Sequence, residues 1–277
     1  MDLQLNWRAM WGRAYPRIIG VQREPSWILF DIFLPILGIA AFVFFYRAMG
    51  APEVYTGFVV LGGAMTAFWV NVLWSMAAQF YWEKETGNLQ LYMIAPMSKM
   101  SVLAGMAIGG MFLTGVRAAS TFILGFFIFG VELEVTNPAA LVAVFVVTLI
   151  ALYGMGMLFA SLYLLYGRGA WHLSNILQEP IYLVSGFYFP VKALGFWVAL
   201  GASIIPITLG LDAMRQLMFN GTELLPFLTW QVELVALVLL AIGFIFAARW
   251  ALHYMEYLGK REGRLTLRWQ RTLISAP

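Results

Sequence analysis

The sequence predicts an all-α integral membrane protein with six transmembrane helices, an N-terminal interfacial helix, and re-entrant outer helices between spans five and six. The first observation behind this prediction is composition: 11% of the 277 residues are charged and 62% are hydrophobic, whereas soluble domains carry about 25% charged residues. The second is that the apolar residues form continuous runs, long enough to cross about 30 Å of hydrocarbon as helices. A transmembrane barrel would instead alternate polar and apolar residues along each strand.

Six apolar runs are the predicted spans, and few charges lie inside them. The runs cover residues 27–46, 58–80, 102–131, 139–166, 173–189 and 230–248. Asp31, Arg117 and Glu179 lie inside the first, third and fifth runs. A charged side chain at the centre of a membrane costs about 2.5–3.5 kcal/mol on insertion scales, so each needs a specific role. Two roles stay open for them: a polar translocation path or gate, and an internal ion pair that fixes helix packing.

Residues 1–25 are predicted to form an amphipathic interfacial helix. Trp7 and Trp11 supply an apolar side, and arginines such as Arg13 and Arg17 are expected to meet lipid phosphates. Residues 26–250 then form the transmembrane domain, and residues 251–277 form a basic tail. With six spans, thirteen of the 17 Lys and Arg residues fall inside, three fall outside and one lies within a span. The positive-inside rule therefore predicts a protein of the cell membrane with both ends cytoplasmic.

A short amphipathic stretch, WEKETGNLQLYMIAPMSK (residues 82–99), separates the second and third runs. Leu89, Met93 and Pro96 recur at the spacing of one helix face, and two acids, Glu83 and Glu85, precede them. Gly87 loosens the backbone before this helix, and the proline blocks its continuation. The residues alone leave two interpretations open: an ordinary loop whose apolar side chains rest on lipid, or a docking helix for another protein.

Two segments carry a resemblance to a known family. The run EKETGNLQLYMIAPMSK, directly before a long span, resembles the cytoplasmic coupling region of type-2 ATP-binding-cassette (ABC) exporter permeases. The run SGFYFPVKALGFWVALGASIIPITLGLDAMRQ, residues 185–216, is similar to that family's segment between spans five and six. Pro190, Pro206, Asp212 and Arg215 stand in the family's order there. The resemblance places a coupling helix at about 83–96 and a re-entrant segment at about 190–210.

The resemblance implies that this chain is the permease subunit of an exporter. It implies a separate ABC ATPase subunit that holds ATP and magnesium and receives the coupling helix, and a second permease that is a copy of this chain or a related one. The resemblance does not choose among the substrates that the family moves, which are drugs, lipids, glycans and lipid-linked polymers. A P-loop needs a lysine followed by Ser or Thr in a glycine-rich loop. None of the four lysines is so placed, so neither enzyme activity nor a cofactor is predicted for this chain.

Other chemistry finds little support in the sequence. There are no cysteines, and His172 and His253 lack metal-ligand spacing, so no metal site is predicted. The net charge of +3 is explained by basic residues that flank a membrane, and no nucleic-acid partner is needed. Gly105-x-x-x-Gly109 in the third run lets another helix approach closely. Two alternative functions stay open: an ion-coupled secondary transporter that uses the three intramembrane charges, and a membrane-embedded enzyme acting on lipid.

Overall fold

The computed structural model describes residues 3–20, 25–166, 169–219 and 226–261, and the secondary structure in those residues is entirely helical. The predicted all-α fold is confirmed for them. A π-helical segment, Asn71–Ala77, continues α3, and a 3-10 turn, Val191–Leu194, precedes α9. The α-helices are α1 (Leu3–Gly20), α2 (Pro25–Ala48), α3 (Val54–Val70), α4 (Gln79–Glu85), α5 (Asn88–Ile94), α6 (Lys99–Phe129), α7 (Pro138–Tyr166), α8 (Gly169–Val184), α9 (Phe196–Ala202), α10 (Pro206–Met218) and α11 (Trp230–Arg261).

Several of these helices have the length and apolarity of membrane spans. Four described stretches satisfy both requirements alone: Val54–Lys84, Lys99–Phe129, Pro138–Leu164 and Trp230–Gly259. The pair α9 and α10 is bent by 112° and supplies a fifth if the pair counts as one span. The chain is therefore a multi-pass membrane protein. The predicted count of six, which adds α2 and α8 and treats the bent pair as re-entrant, stays a prediction.

The observed helices differ from the predicted runs mainly in length. The second span begins at Val54 and continues through the π segment into α4, so it is longer than the predicted 58–80. The last helix runs past Ala248 to Arg261, and residues 251–261 of the predicted tail are helical. The helix outlasts the apolar run because Leu252 is still buried and Glu256 forms an ion pair. Residues 262–277 lie outside the described residues.

The second span is the centre of the bundle. α3 packs against α2, α6 and α10, and its continuation packs against α7. Phe58, Phe68 and Trp69 are fully buried. A helix enclosed by others can be apolar on all sides, which explains why its sequence shows no polar face. The outer helices instead turn apolar side chains such as Phe127 of α6 and Phe246 of α11 outward, where lipid is the natural solvent.

The glycine pair of α6 admits α1 of the same chain. A Cβ atom at Gly105 would lie 2.2 Å from the carbonyl oxygen of Met10, and one at Gly109 would lie 3.0 Å from Cβ of Arg17. Real Cβ atoms do not approach a carbonyl oxygen this closely, so the first glycine fixes how near the two helices lie. The close approach expected from this spacing is confirmed, and the approaching helix is the N-terminal one.

Candidate functional site

A short helix, α5, lies between the second and third spans. Gly87 makes the turn before it with a φ of +80°, a conformation that glycine adopts at little cost. Leu89 is buried and Met93 packs against the core, so this side of α5 faces the protein. Leu91 and Ile94, on the other side, are 61% and 80% exposed. The outward surface of α5 therefore contains two large apolar side chains beside the exposed polar residues Asn88 and Gln90, and these two are not the residues expected.

The end of α5 is set by a proline. Ala95 adopts an extended conformation, as is usual for a residue that precedes a proline. Pro96 itself is exposed rather than part of the inward face. Ser98 occupies the N-cap position of α6, but its side chain makes no capping hydrogen bond. Its backbone N–H donates instead to Oδ1 of Asn6 at 2.8 Å, which ties α1 to the start of the third span.

The acids before α5 belong to α4, not to the docking helix. Glu83 is 4% exposed and forms an ion pair with Arg13 of α1. Its carboxylate also accepts a hydrogen bond from the side chain of Gln79 at 2.7 Å. Its carboxylate is turned inward and fastens α1 to the second span, and a role for Glu83 in coupling to an ATPase stays a prediction. The side chain of Glu85 lies outside the described residues.

A second arginine of α1, Arg17, joins three helical elements. Its guanidinium donates to the hydroxyl of Ser75 in the π segment and to the carbonyl oxygen of Met106 in α6, the latter at 3.2 Å. Burial first, and then the charge of Arg13, lower the pKa of Arg17 from its ordinary value. Both arginines thus bind protein groups rather than the lipid phosphates expected for them. They make α1 a brace between the second and third spans.

The π segment is a meeting point of polar side chains inside the bundle. Asn71 Oδ1 accepts a hydrogen bond from the Tyr153 hydroxyl of α7 at 2.9 Å. Trp74 Nε1 donates to Oε1 of Gln178 in α8 at 2.6 Å. Together with Arg17 of α1, which bonds to Ser75, three neighbouring elements form hydrogen bonds to this seven-residue segment. Segments of π-helix are rare and often occur at functional sites. This one leads directly into α4 and is hydrogen-bonded to α8.

An exposed polar stripe runs along α8. His172, Asn175 and Glu179 are exposed and lie at helical spacing on one side. Glu179 Oε1 accepts a hydrogen bond from Gln178 at 3.3 Å. A carboxylate in a membrane-spanning segment is costly to face with lipid, so such groups face a water-filled space or another polypeptide. The same side of α8 also exposes Ile176 and Leu183, so its surface mixes polar and apolar side chains.

The intramembrane charges do not come together as one described cluster. The ion pairs found between described side chains join Arg13 to Glu83 and Lys99 to Glu256. An ion pair between Arg117 and Glu179 is not among them, although Arg117 does make other interactions. The side chain of Asp31 lies outside the described residues. Both interpretations of these three charges therefore stay predictions.

The bent pair of α9 and α10 is held by a buried arginine. Pro206 begins α10, where its missing N–H is no loss. Arg215 is 2% exposed, and its guanidinium donates to the carbonyl oxygens of Phe187 at 2.8 Å, Phe189 at 3.1 Å and Phe58 at 3.3 Å. These charge-assisted bonds satisfy carbonyl groups that follow α8 and one in α3. Arg215 thus fastens the segment that follows α8 onto the second span.

The acid of the same motif connects α10 to α11. Asp212 Oδ2 accepts the backbone N–H of Phe227 at 2.8 Å and the side chain of Gln216 at 3.3 Å. The same amide of Gln216 donates to Glu233 in α11 at 3.1 Å. Pro190 is buried at the start of the 3-10 turn. The four motif residues are structural anchors of the bent pair rather than a pocket for a ligand.

Sequence reasoning missed the π segment, Gln216 and the ion pair of Lys99 with Glu256, which measures 2.9 Å and ties the third span to the last. Isolated polar residues within apolar runs, such as Asn71, were the available signal for buried hydrogen bonds. Nothing in the local sequence identifies their partners, which lie in other helices.

Comparison with known proteins places these features in context. The family model described as ABC-2 type transporter matches residues 8–219. The matched range begins in α1, includes α5 and ends directly after α10. No curated protein and no solved structure matches the chain.

Proposed function

Because the chain belongs to the ABC-2 type transporter family, we propose that it moves a substrate outward across the cell membrane, driven by ATP hydrolysis in a separate subunit. Family membership makes the chain a transmembrane permease of an ABC transporter and implies association with an ABC ATPase subunit. The proposal adds the direction of transport, the docking surface and the path. In it, six spans cross the membrane and both ends of the chain are cytoplasmic.

The observation that carries the proposal is the exposed apolar surface of α5. Leu91 and Ile94 project from a helix whose opposite side is anchored by Leu89. Apolar side chains that fill a pocket on a partner dominate the energy of many protein interfaces. In the proposal, the ATPase subunit presents that pocket and these two residues occupy it.

Motion at α5 reaches the path through the second span. α5 follows α4 after a single glycine turn, and α4 continues from the π segment. Trp74 of that segment is hydrogen-bonded to Gln178 of α8. Closure of the ATPase subunits around nucleotide pushes α5, and the push is delivered to α8 through this bond. Conversion between inward-facing and outward-facing states follows as a movement of packed helices.

The translocation path lies along the polar stripe of α8. Two permeases, identical or related, bring their α8 helices to one water-filled passage, and Glu179 lies on its wall. The proposal assigns Arg117 and Asp31 to the gate of this passage. The stripe supports this arrangement, because exposed groups such as His172 and Asn175 need water or protein beside them.

The test combines topology with partner capture. Because the chain contains no cysteine, Leu91→Cys and Trp197→Cys each create one reactive thiol, at residues 61% and 81% exposed. A membrane-impermeant maleimide should label the first only from the cytoplasmic side and the second only from outside. Labelling of Leu91→Cys from outside would overturn the proposal.

Partner capture separates the proposal from an ion-coupled transporter. Purification of the full chain from its native membrane should bring down an ABC ATPase subunit, and the purified chain alone should not hydrolyse ATP. Uptake into vesicles driven by an ion gradient, with this chain as the only protein present, would assign the function to Asp31, Arg117 and Glu179 instead.

A further inference from the structure

An apolar groove of about 370 Å³ opens between α6 and α7, away from the polar stripe of α8. α3 and α10 form its floor. Every residue that lines it is apolar, and the central ones are Met65, Gly115, Ala118, Phe145, Met214 and Met218. The groove exists because small side chains of α6 stand opposite α7, where larger ones would close the gap.

The groove lies within the hydrocarbon layer. Gly115 is near the middle of the 31-residue helix α6, about 23 Å from either end at about 1.5 Å per residue. Water is not a suitable filling, because a buried water needs polar partners and apolar cavities stay dry. Apolar cavities of about 150 Å³ already take up small apolar molecules. The contents of this larger groove must therefore come from the bilayer.

We propose that the groove binds one acyl chain of a bilayer phospholipid. A helix of a second permease is too wide to enter, because α6 and α7 pack against each other and a helix is about 10 Å across. A single acyl chain is narrower and matches the apolar lining. Methionines on the floor, such as Met65 and Met214, have flexible side chains that adapt to a chain of variable shape.

The bound chain contacts the re-entrant helix. Met214 and Met218 belong to α10, the helix that Asp212 and Arg215 fasten to its neighbours. These two side chains are only 2% and 6% exposed, and an acyl chain in the groove between α6 and α7 covers the small part that remains open. Lipid therefore helps to fix the position of the bent pair. This role concerns the membrane domain alone and does not depend on ATPase docking.

The test places a larger side chain inside the groove. A Cβ atom at Gly115 meets no atom within 4 Å, so Gly115→Leu extends into open space without displacing a neighbour. Gly243→Leu is the matched control, because Gly243 of α11 is exposed and also has no atom within 4 Å of its Cβ position. Both full-length variants and the parent chain are placed in phosphatidylcholine nanodiscs that contain a phospholipid with a diazirine on its acyl chain.

Photo-crosslinked peptides are then mapped by mass spectrometry. The parent chain and Gly243→Leu should show crosslinks concentrated at Met214 and Met218, and Gly115→Leu should lose them at least five-fold. The proposal is overturned if Gly115→Leu keeps the same crosslinks, or if these positions react no more than the lipid-facing side of α11 does.

A second measurement identifies a protein occupant if there is one. Val142 is 62% exposed at the mouth of the groove, and Val142→Cys introduces the only thiol of the chain. An oxidant should leave this variant monomeric on a denaturing gel. A disulfide-linked dimer would assign the groove to an interface between two copies and overturn the acyl-chain proposal.

Discussion

Truncation of the outward surface of α5 tests the docking proposal most directly. The double change Leu91→Ala with Ile94→Ala removes three carbon atoms from each side chain, and each buried carbon is worth about 0.8 kcal/mol. The two side chains are 61% and 80% exposed, and that exposed part is what a partner would cover. Weighting by those fractions gives a loss of about 3 kcal/mol, or about a 150-fold weaker complex.

The assay is the affinity of the purified ATPase subunit for the permease in nanodiscs, measured by biolayer interferometry, with stimulation of ATP hydrolysis as a second readout. The matched control is Ile123→Ala with Leu124→Ala on α6, where the same two residue types are 51% and 41% exposed. That control should bind like the parent chain. If the α5 variant inserts normally and binds within three-fold of the parent, the assignment of α5 as the docking surface is refuted.

Three further changes examine how α1 and the π segment hold the bundle together. Gly105→Ala places a Cβ atom 2.2 Å from a backbone oxygen of α1. This change should cost about 1–3 kcal/mol of stability and lower the melting temperature in detergent. The control Gly243→Ala, whose Cβ meets nothing within 4 Å, should leave the melting temperature unchanged, and equal melting temperatures for the two variants would contradict the close packing. Tyr153→Phe removes the hydroxyl that donates to the π segment and should lower the free energy of unfolding in denaturant by about 1 kcal/mol. An unchanged free energy of unfolding would show that this bond is not formed. Arg13→Glu should destabilise the chain, and addition of Glu83→Arg should restore most of the loss; additive losses would exclude a direct ion pair.

The membrane class and the helical fold could be predicted from the sequence because both depend on local composition. Long apolar runs with few charges leave lipid as the only suitable solvent, and the runs locate α6 and α7 to within a few residues. The positions of α5 and of the bent pair were also readable, because Gly87, Pro96 and Pro206 act on the backbone next to them. The two motif segments resembled those of the family that matches residues 8–219.

Which side of each helix faces the protein was decided only by the tertiary structure. Helical spacing shows that Leu89 and Met93 share a face, but it does not show that this face is the buried one and that Leu91 points outward. The sequence around Glu83 is that of a surface acid. Its burial could not be predicted locally, because its partner, Arg13 of α1, lies 70 residues earlier in the chain. That placement depends on the closeness of α1 and α6, which Gly105 permits. Pairings of this kind arise from packing between distant segments, so no local pattern in the sequence determines them.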